Sequence, residues 1–83
     1  MLYRILTENK HRDSIEALVG TFFNGFTLIE SIGWWKGSRE FGLIIEIQDA
    51  DLASIEALAQ KIKLLNQQES VLVQEIQCQA KFV

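Results

Sequence analysis

The residues of this sequence that could do chemistry are concentrated between Gly33 and Glu40, where aromatic rings, cations and an acid follow one another. With one later acid they give six candidate binding residues: Trp34, Trp35, Lys36, Arg39, Glu40 and Glu69. Indole rings stack on cations, and Lys and Arg hold carboxylate or phosphate. Three interpretations stay open. The segment packs against a neighbouring copy, it lines a binding site for an anionic ligand, or it only stabilises the hairpin turn.

The acidic residues give little support to catalysis. General acid–base chemistry needs a pocket that shifts the pKa of the acid, and only Glu40 and Glu69 flank turns where a pocket between subunits could form. The main prediction for all five carboxylates of this part of the chain is a solvated or salt-bridged sheet face: Glu30, Glu40, Glu46, Glu69 and Glu75. No glycine motif for phosphate and no catalytic triad spacing is present. Whether the protein is an enzyme stays open, and we predict no cofactor.

His11 and Cys78 are the only histidine and cysteine. They cannot by themselves supply the three or four ligands of a usual zinc site, so we predict no metal. His11 lies in a charged loop and is predicted to be an exposed surface side chain. Cys78 lies between Ile76 and Ala80 at two-residue spacing, which predicts a buried thiol that reacts slowly.

Composition excludes several classes of protein. The chain has 83 residues, 48% hydrophobic, with 11 acidic and 8 basic side chains and a formal charge of -3. This mild acidity disfavours nucleic-acid binding, and no apolar run reaches the roughly 20 residues of a membrane span. A single cysteine excludes an internal disulfide and favours a reducing, cytoplasmic location. So small a core favours assembly, because a chain of this size hides only about 60% of its surface on folding.

The first half of the chain predicts a strand, a helix and a hairpin. Leu2 to Thr7 is rich in strand formers. A helix over about Ser14 to Phe23 follows, with Asp13 as its cap and Glu16 completing a capping box. Phe26 to Ile47 alternates with period two around a tight turn at Lys36, Gly37 and Ser38. In its second strand one side carries Phe41, Leu43, Ile45 and Ile47.

The second half predicts a helix and a long final strand. An apolar stripe marks a helix over about Leu52 to Asn66, capped by Asp49 or Asp51. Ser70 to Phe82 places apolar residues on even positions, which predicts a strand over that whole length. The order βαββαβ predicts a ferredoxin-like α+β sandwich, with a four-stranded antiparallel sheet and two helices on one face. We expect residues 1–83 to form a single such domain.

The hairpin resembles that of CutA proteins in the PII-like superfamily. Phe26 to Gly37 (FTLIESIGWWKG), then Glu40 and an aliphatic strand, matches their aromatic-Trp-x-Gly turn, acidic residue and strand. The similarity covers about Gly25 to Ile76. It implies a compact trimer in which extended hairpins and final strands pair across subunits. A bacterial family of uncharacterised ferredoxin-like proteins, with a Gly-x-Trp hairpin and a Gln-Glu-Ser-Val-Leu strand, is similar over the same stretch.

This sequence departs from CutA proteins and from true PII proteins. The prolines of the final CutA turn and a Cys/His metal set are absent, so the resemblance does not imply a copper-linked function. The turn at residues 36–38 is also too short for the nucleotide-clasping loop of true PII proteins. Their ATP and 2-oxoglutarate sensing is therefore not implied.

Three classes of function follow. The first is a homo-oligomeric, predicted trimeric, binding or regulatory protein that senses an anionic small molecule between subunits. The second is an interaction or inhibitor module that docks through its sheet face or edge. The third is a small enzyme with an intersubunit site using Glu40 or Glu69. A cleft lined by Trp35, Lys36, Arg39 and Glu69 would favour the first or third, and an uncovered apolar sheet face the second.

Overall fold

Strands and helices follow one another along the chain in the predicted order, and the computed structural model describes all of residues 1–83. The six elements are β1 (Leu2–Glu8), α1 (Arg12–Phe22), β2 (Thr27–Trp35), β3 (Ser38–Gln48), α2 (Leu52–Asn66) and β4 (Leu72–Ile76). The sheet has the strand order β2-β3-β1-β4, and every neighbouring pair is antiparallel. The predicted ferredoxin-like fold is thus confirmed.

The core lies between the two helices and one face of the sheet. Side chains alternate across a strand, so every second residue of β1 and β3 points to the helices. The buried apolar side chains are Tyr3, Ile5, Leu43, Ile45 and Ile47 from the sheet, and Ile15, Val19, Ile55, Leu58, Ala59 and Ile62 from the helices. Both helices therefore cover the same face of the sheet.

The opposite face has no helix over it. We call it the open face, and its apolar side chains in the middle of the sheet are Leu6, Ile29, Ile44 and Leu72. The sequence identifies Ile44 as the one apolar residue on this side of β3, and the register confirms that position. Neither helix is both long and apolar enough to cross a membrane.

The hairpin of β2 and β3 extends beyond the helices. Its turn consists of Lys36 and Gly37, with φ angles of 49° and 79°. Two successive residues with positive φ are the mark of a type I′ turn, whose twist suits a two-residue hairpin. From Ile32 through Phe41 every side chain is exposed. Phe41 was expected on the core side of β3, and it does lie there, but beyond the reach of the helices.

The two helix starts differ from each other. Asp51 caps α2 as predicted: a carboxylate oxygen accepts the backbone N–H of Ser54 at 3.0 Å. The prediction that Asp13 caps α1 is wrong. The helix begins at Arg12, after His11 in the left-handed conformation, and has no side-chain cap. Arg12 forms an ion pair with Glu30 of β2 at 2.8 Å, which fixes this early first turn against the sheet.

The final strand is shorter than predicted and has the opposite phase. It ends at Ile76, and residues 77–83 form no regular element. β4 pairs with β1 in a register that sets Val73 opposite Ile5, so odd residues point to the helices and even ones to the open face. Cys78 lies past the strand and is exposed. The prediction of a buried Cys78 is therefore wrong, since no core is present at that point.

Candidate functional site

The two tryptophans lie on opposite sides of the hairpin. Trp34 pairs with Arg39 on the side that continues the core face, and Trp35 pairs with Ser38 on the side that continues the open face. Their exposed fractions are 70% and 64%, so neither indole joins the core of its own chain. Large exposed indoles on a protruding hairpin are typical of a contact surface, because aromatic residues are enriched in interfaces.

Both cations of the hairpin lie over aromatic rings. The Nζ of Lys36 is 5.7 Å from the centroid of Trp35. The guanidinium carbon of Arg39 is 5.2 Å from the centroid of Phe41. The four ion pairs of the chain involve the chain start, Arg4, Lys10 and Arg12, and none involves the hairpin cations. Lys36 and Arg39 are thus held by rings and remain without a carboxylate.

Three of the six predicted site residues meet in one cleft. Trp35 and Glu40 come from the hairpin, and Glu69 comes from the loop after α2. The cleft has a volume of about 550 Å³, and its other lining residues are Glu8, Lys10, Gln67, Gln68 and Ser70. Trp34, Lys36 and Arg39 do not line it. The structure therefore divides the predicted set into residues that line the cleft and an adjacent, cationic hairpin tip.

The cleft is acidic within a single chain. Lys10 is the one cation among its lining residues, and its Nζ binds a carboxylate oxygen of Glu8 at 2.9 Å. Glu40 and Glu69 have no ion-pair partner in the chain. Counting these four charges, the cleft has one positive and three negative side chains. Such a lining disfavours binding of an anion unless another chain contributes cations to the cleft.

A buried polar network holds the floor of the cleft, and the sequence analysis missed it. Asn66, at the end of α2 and 2% exposed, donates through Nδ2 to the Thr7 hydroxyl at 3.1 Å, the Gln68 amide oxygen at 2.9 Å and the Glu8 carbonyl at 3.2 Å. The Thr7 hydroxyl donates in turn to the amide oxygen of Gln68. The network fixes where the chain leaves α2 and hence where Glu69 lies.

One signal in the sequence could have indicated this network. Thr7 shares the core face of β1 with Tyr3 and Ile5, so a hydroxyl had to be buried there and needed a partner.

His11 was predicted at the surface and is exposed, and its Nδ1 also lies 3.4 Å from Oδ1 of Asn66. No three His, Cys, Asp or Glu side chains converge in a way that could hold a metal ion.

An apolar row crosses the open face from one edge of the sheet to the other. The register places Ile29 opposite Ile44, Ile44 opposite Leu6, and Leu6 opposite Leu72. The two outer members are exposed, Ile29 at 39% and Leu72 at 53%. On one side the row is bordered by Arg4 and Glu46, which form an ion pair at 2.6 Å. Four adjacent aliphatic side chains without a covering element form an uncovered apolar sheet face.

No protein-family model matches the sequence, and no curated protein matches it. Solved structures do. A DUF3240 family protein from Shewanella baltica is 19% identical with a TM-score of 0.71, over 99% of this chain and 94% of the other. CPII, a nitrogen regulatory PII-like protein from Thiomonas intermedia, is 16% identical with a TM-score of 0.63, over 98% and 93%. CutA1 from Pyrococcus horikoshii is 20% identical with a TM-score of 0.52, over 98% and 88%.

The chain thus has the ferredoxin-like fold of the PII-like and CutA proteins, and the resemblance seen in the hairpin is confirmed at the level of fold. The structural match also extends further along the chain than the residues from Gly25 to Ile76 that suggested it.

Proposed function

We propose that this protein is a small homo-oligomeric binding or regulatory protein whose copies meet through the open face. The observation that carries the proposal is the apolar row of Ile29, Ile44, Leu6 and Leu72, which nothing in the chain covers. Burial of such a face is favourable by roughly 25 cal/mol for each Å² of apolar surface removed from water. A chain with only 13 buried residues gains much from it.

The resemblance to CutA favours three copies. In a ring of that kind each hairpin extends past its own helices toward a neighbour, so the exposed indoles Trp34 and Trp35 would be covered by other subunits. The cleft of Trp35, Glu40 and Glu69 would then lie at a boundary between copies.

The ligand we propose is an anionic small molecule bound at that boundary. CPII, which has the same fold, was solved with ADP, AMP and bicarbonate bound, so the fold can hold anions. The cleft of one chain lacks a free cation, and an anion there would need Lys36 or Arg39 of a neighbouring hairpin. Anion binding is therefore expected only in the assembled protein.

Light scattering at micromolar concentration tests the assembly. The wild type should have a multiple of the 9.5 kDa chain mass, with three copies expected. Leu72→Lys places a charge on the apolar row and should reduce the mass. Leu64→Lys is the matched control, because Leu64 is 75% exposed on α2, away from the sheet. A wild-type mass of one chain, or a Leu72→Lys protein that keeps the wild-type mass, would overturn the proposal.

The uncovered face by itself equally supports the second function expected from the sequence, docking on a different protein, and the fold shared with CPII and CutA1 is what favours another copy of this chain. If the wild type is monomeric and a different protein binds to its open face, the interaction module is favoured. Catalysis by Glu40 or Glu69 has less support, since both carboxylates are exposed in an open cleft rather than in a pocket that excludes water.

A further inference from the structure

We propose that Arg39, at the cationic hairpin tip of one copy, binds the acidic cleft of a second copy at Glu69 and Glu40. This contact rests on the proposed function in one respect, that copies of the chain meet. It specifies a second surface, distinct from the apolar row, and assigns its partner by charge.

The tip presents its cations in a form ready for a carboxylate. The guanidinium of Arg39 lies over the ring of Phe41, with 5.2 Å between the guanidinium carbon and the ring centroid. A stacked guanidinium keeps its N–H donors in the plane of the group, where they can form a fork to a carboxylate. Because the aromatic ring already orders this side chain, less conformational entropy is lost on pairing.

The cleft presents the complementary charge. Glu40 and Glu69 are exposed and have no cation within 4 Å, and Lys10 beside them is engaged by Glu8. Glu69 follows Gln68, whose side chain is fixed by Thr7 and Asn66, so its backbone is anchored to the core. Two unpaired carboxylates in one cleft and two unpaired cations on one hairpin tip give the two surfaces opposite charge.

A chain cannot make this contact with itself. Arg39 lies on the side of β3 that continues the core face, whereas Glu40 lies on the side that continues the open face, where the cleft is formed. The alternation of the strand therefore separates the two charges onto opposite surfaces. A contact between two different surfaces of identical chains is heterologous, and it closes into a ring when the rotation allows.

Charge reversal tests the contact. Arg39→Glu and Glu69→Arg should each raise the dissociation constant of the assembly by about tenfold or more, because each places two like charges opposite each other across the contact. The double variant with both reversals should restore assembly, since every contact in the ring then again joins opposite charges. The controls are Lys61→Glu and Glu56→Arg, exposed residues of α2 without an ion pair, which should leave assembly unchanged.

The readouts are mass by sedimentation over a dilution series and the circular dichroism of each variant, which checks folding. Assembly unaffected by the single reversals, or not restored by the double variant, would overturn this contact. The proposed function fails separately: if Leu72→Lys leaves the mass intact while the reversals act as described, only the open-face interface is wrong. If the charge reversals leave the mass unchanged while Leu72→Lys dissociates the assembly, only the tip contact is wrong.

Discussion

The side-chain nitrogen of Asn66 lies 3.1 Å from the hydroxyl oxygen of Thr7, which joins the last residue of α2 to the core side of β1. The same nitrogen also reaches the Glu8 carbonyl and the Gln68 side chain, so one buried amide ties the end of a helix to the end of a strand and to the cleft loop.

We expect Asn66→Ala to lower the free energy of unfolding by about 1–3 kcal/mol, because it leaves buried polar partners unsatisfied. Thr7→Val should cost less, since Asn66 keeps two other acceptors. Chemical denaturation measures both. Asn24→Ala, at an exposed position after α1, controls for loss of an amide. An Asn66→Ala protein as stable as Asn24→Ala would show that the network adds no stability.

The start of α2 should be sensitive to acid. The Ser54 hydroxyl and the Ser54 backbone N–H donate to Asp51 and hold the pKa of this carboxyl below its ordinary value. A lowered folded-state pKa gives stability that is fully present above the unfolded pKa of about 3.9 and is lost as the pH falls through the lower folded value. Asp51→Ala should therefore lower the melting temperature at pH 7, and by less at strongly acidic pH. An equal loss at both pH values would contradict this.

Cys78 should react readily in the folded protein. It is exposed past the end of β4, and its sulfur accepts a weak hydrogen bond from Nε2 of Gln48 at 3.5 Å. Labelling by a thiol reagent at neutral pH should proceed close to the rate of the denatured chain. Much slower labelling at every protein concentration would contradict this, whereas slowing only at high concentration would place residues 77–83 against another copy.

Tryptophan fluorescence should report assembly. Both indoles are exposed in the single chain and are expected against neighbouring subunits in the oligomer, so dilution should shift the emission to longer wavelength. Trp34→Phe and Trp35→Phe leave one indole each and separate the two sides of the hairpin. If the mass falls on dilution while the emission of both variants stays constant, the hairpin lies outside the interface.

Arg39→Ala should separate a subunit contact from a ligand contact. If Arg39 serves a neighbouring subunit, the variant loses assembly. If it serves a ligand, the variant keeps its mass but loses any rise in melting temperature that an added anion, such as ADP, AMP or bicarbonate, gives the wild type. Lys81→Ala, which removes an exposed charge outside the sheet, is the control. Unchanged mass, stability and ligand response in Arg39→Ala and Lys36→Ala together would show that the tip is only a solvated turn.

Elements with strong local signals could be predicted from the residues alone. Period two around a turn at residues 36–38 predicts the hairpin, and the apolar stripe predicts α2 from Leu52 to Asn66, whereas the choice of Asp51 over Asp49 as its cap came from the structure. Their order then restricted the fold to the ferredoxin-like arrangement, because right-handed crossovers leave few alternatives. Of the candidate site, the sequence identified Trp35, Glu40 and Glu69, which do share a cleft.

Features that depend on pairing between distant residues could not be predicted in this way. The face of β4 is set by the register of Val73 against Ile5, so the alternation of the last segment predicted the wrong side and a buried Cys78. The distance of the hairpin tip from the helices leaves Phe41 exposed despite its core-side position. The network of Thr7, Asn66 and Gln68 joins residues about sixty positions apart. A local pattern gives the period of an element. Which strand it pairs with, and how much of it the helices cover, are set by packing across the whole chain.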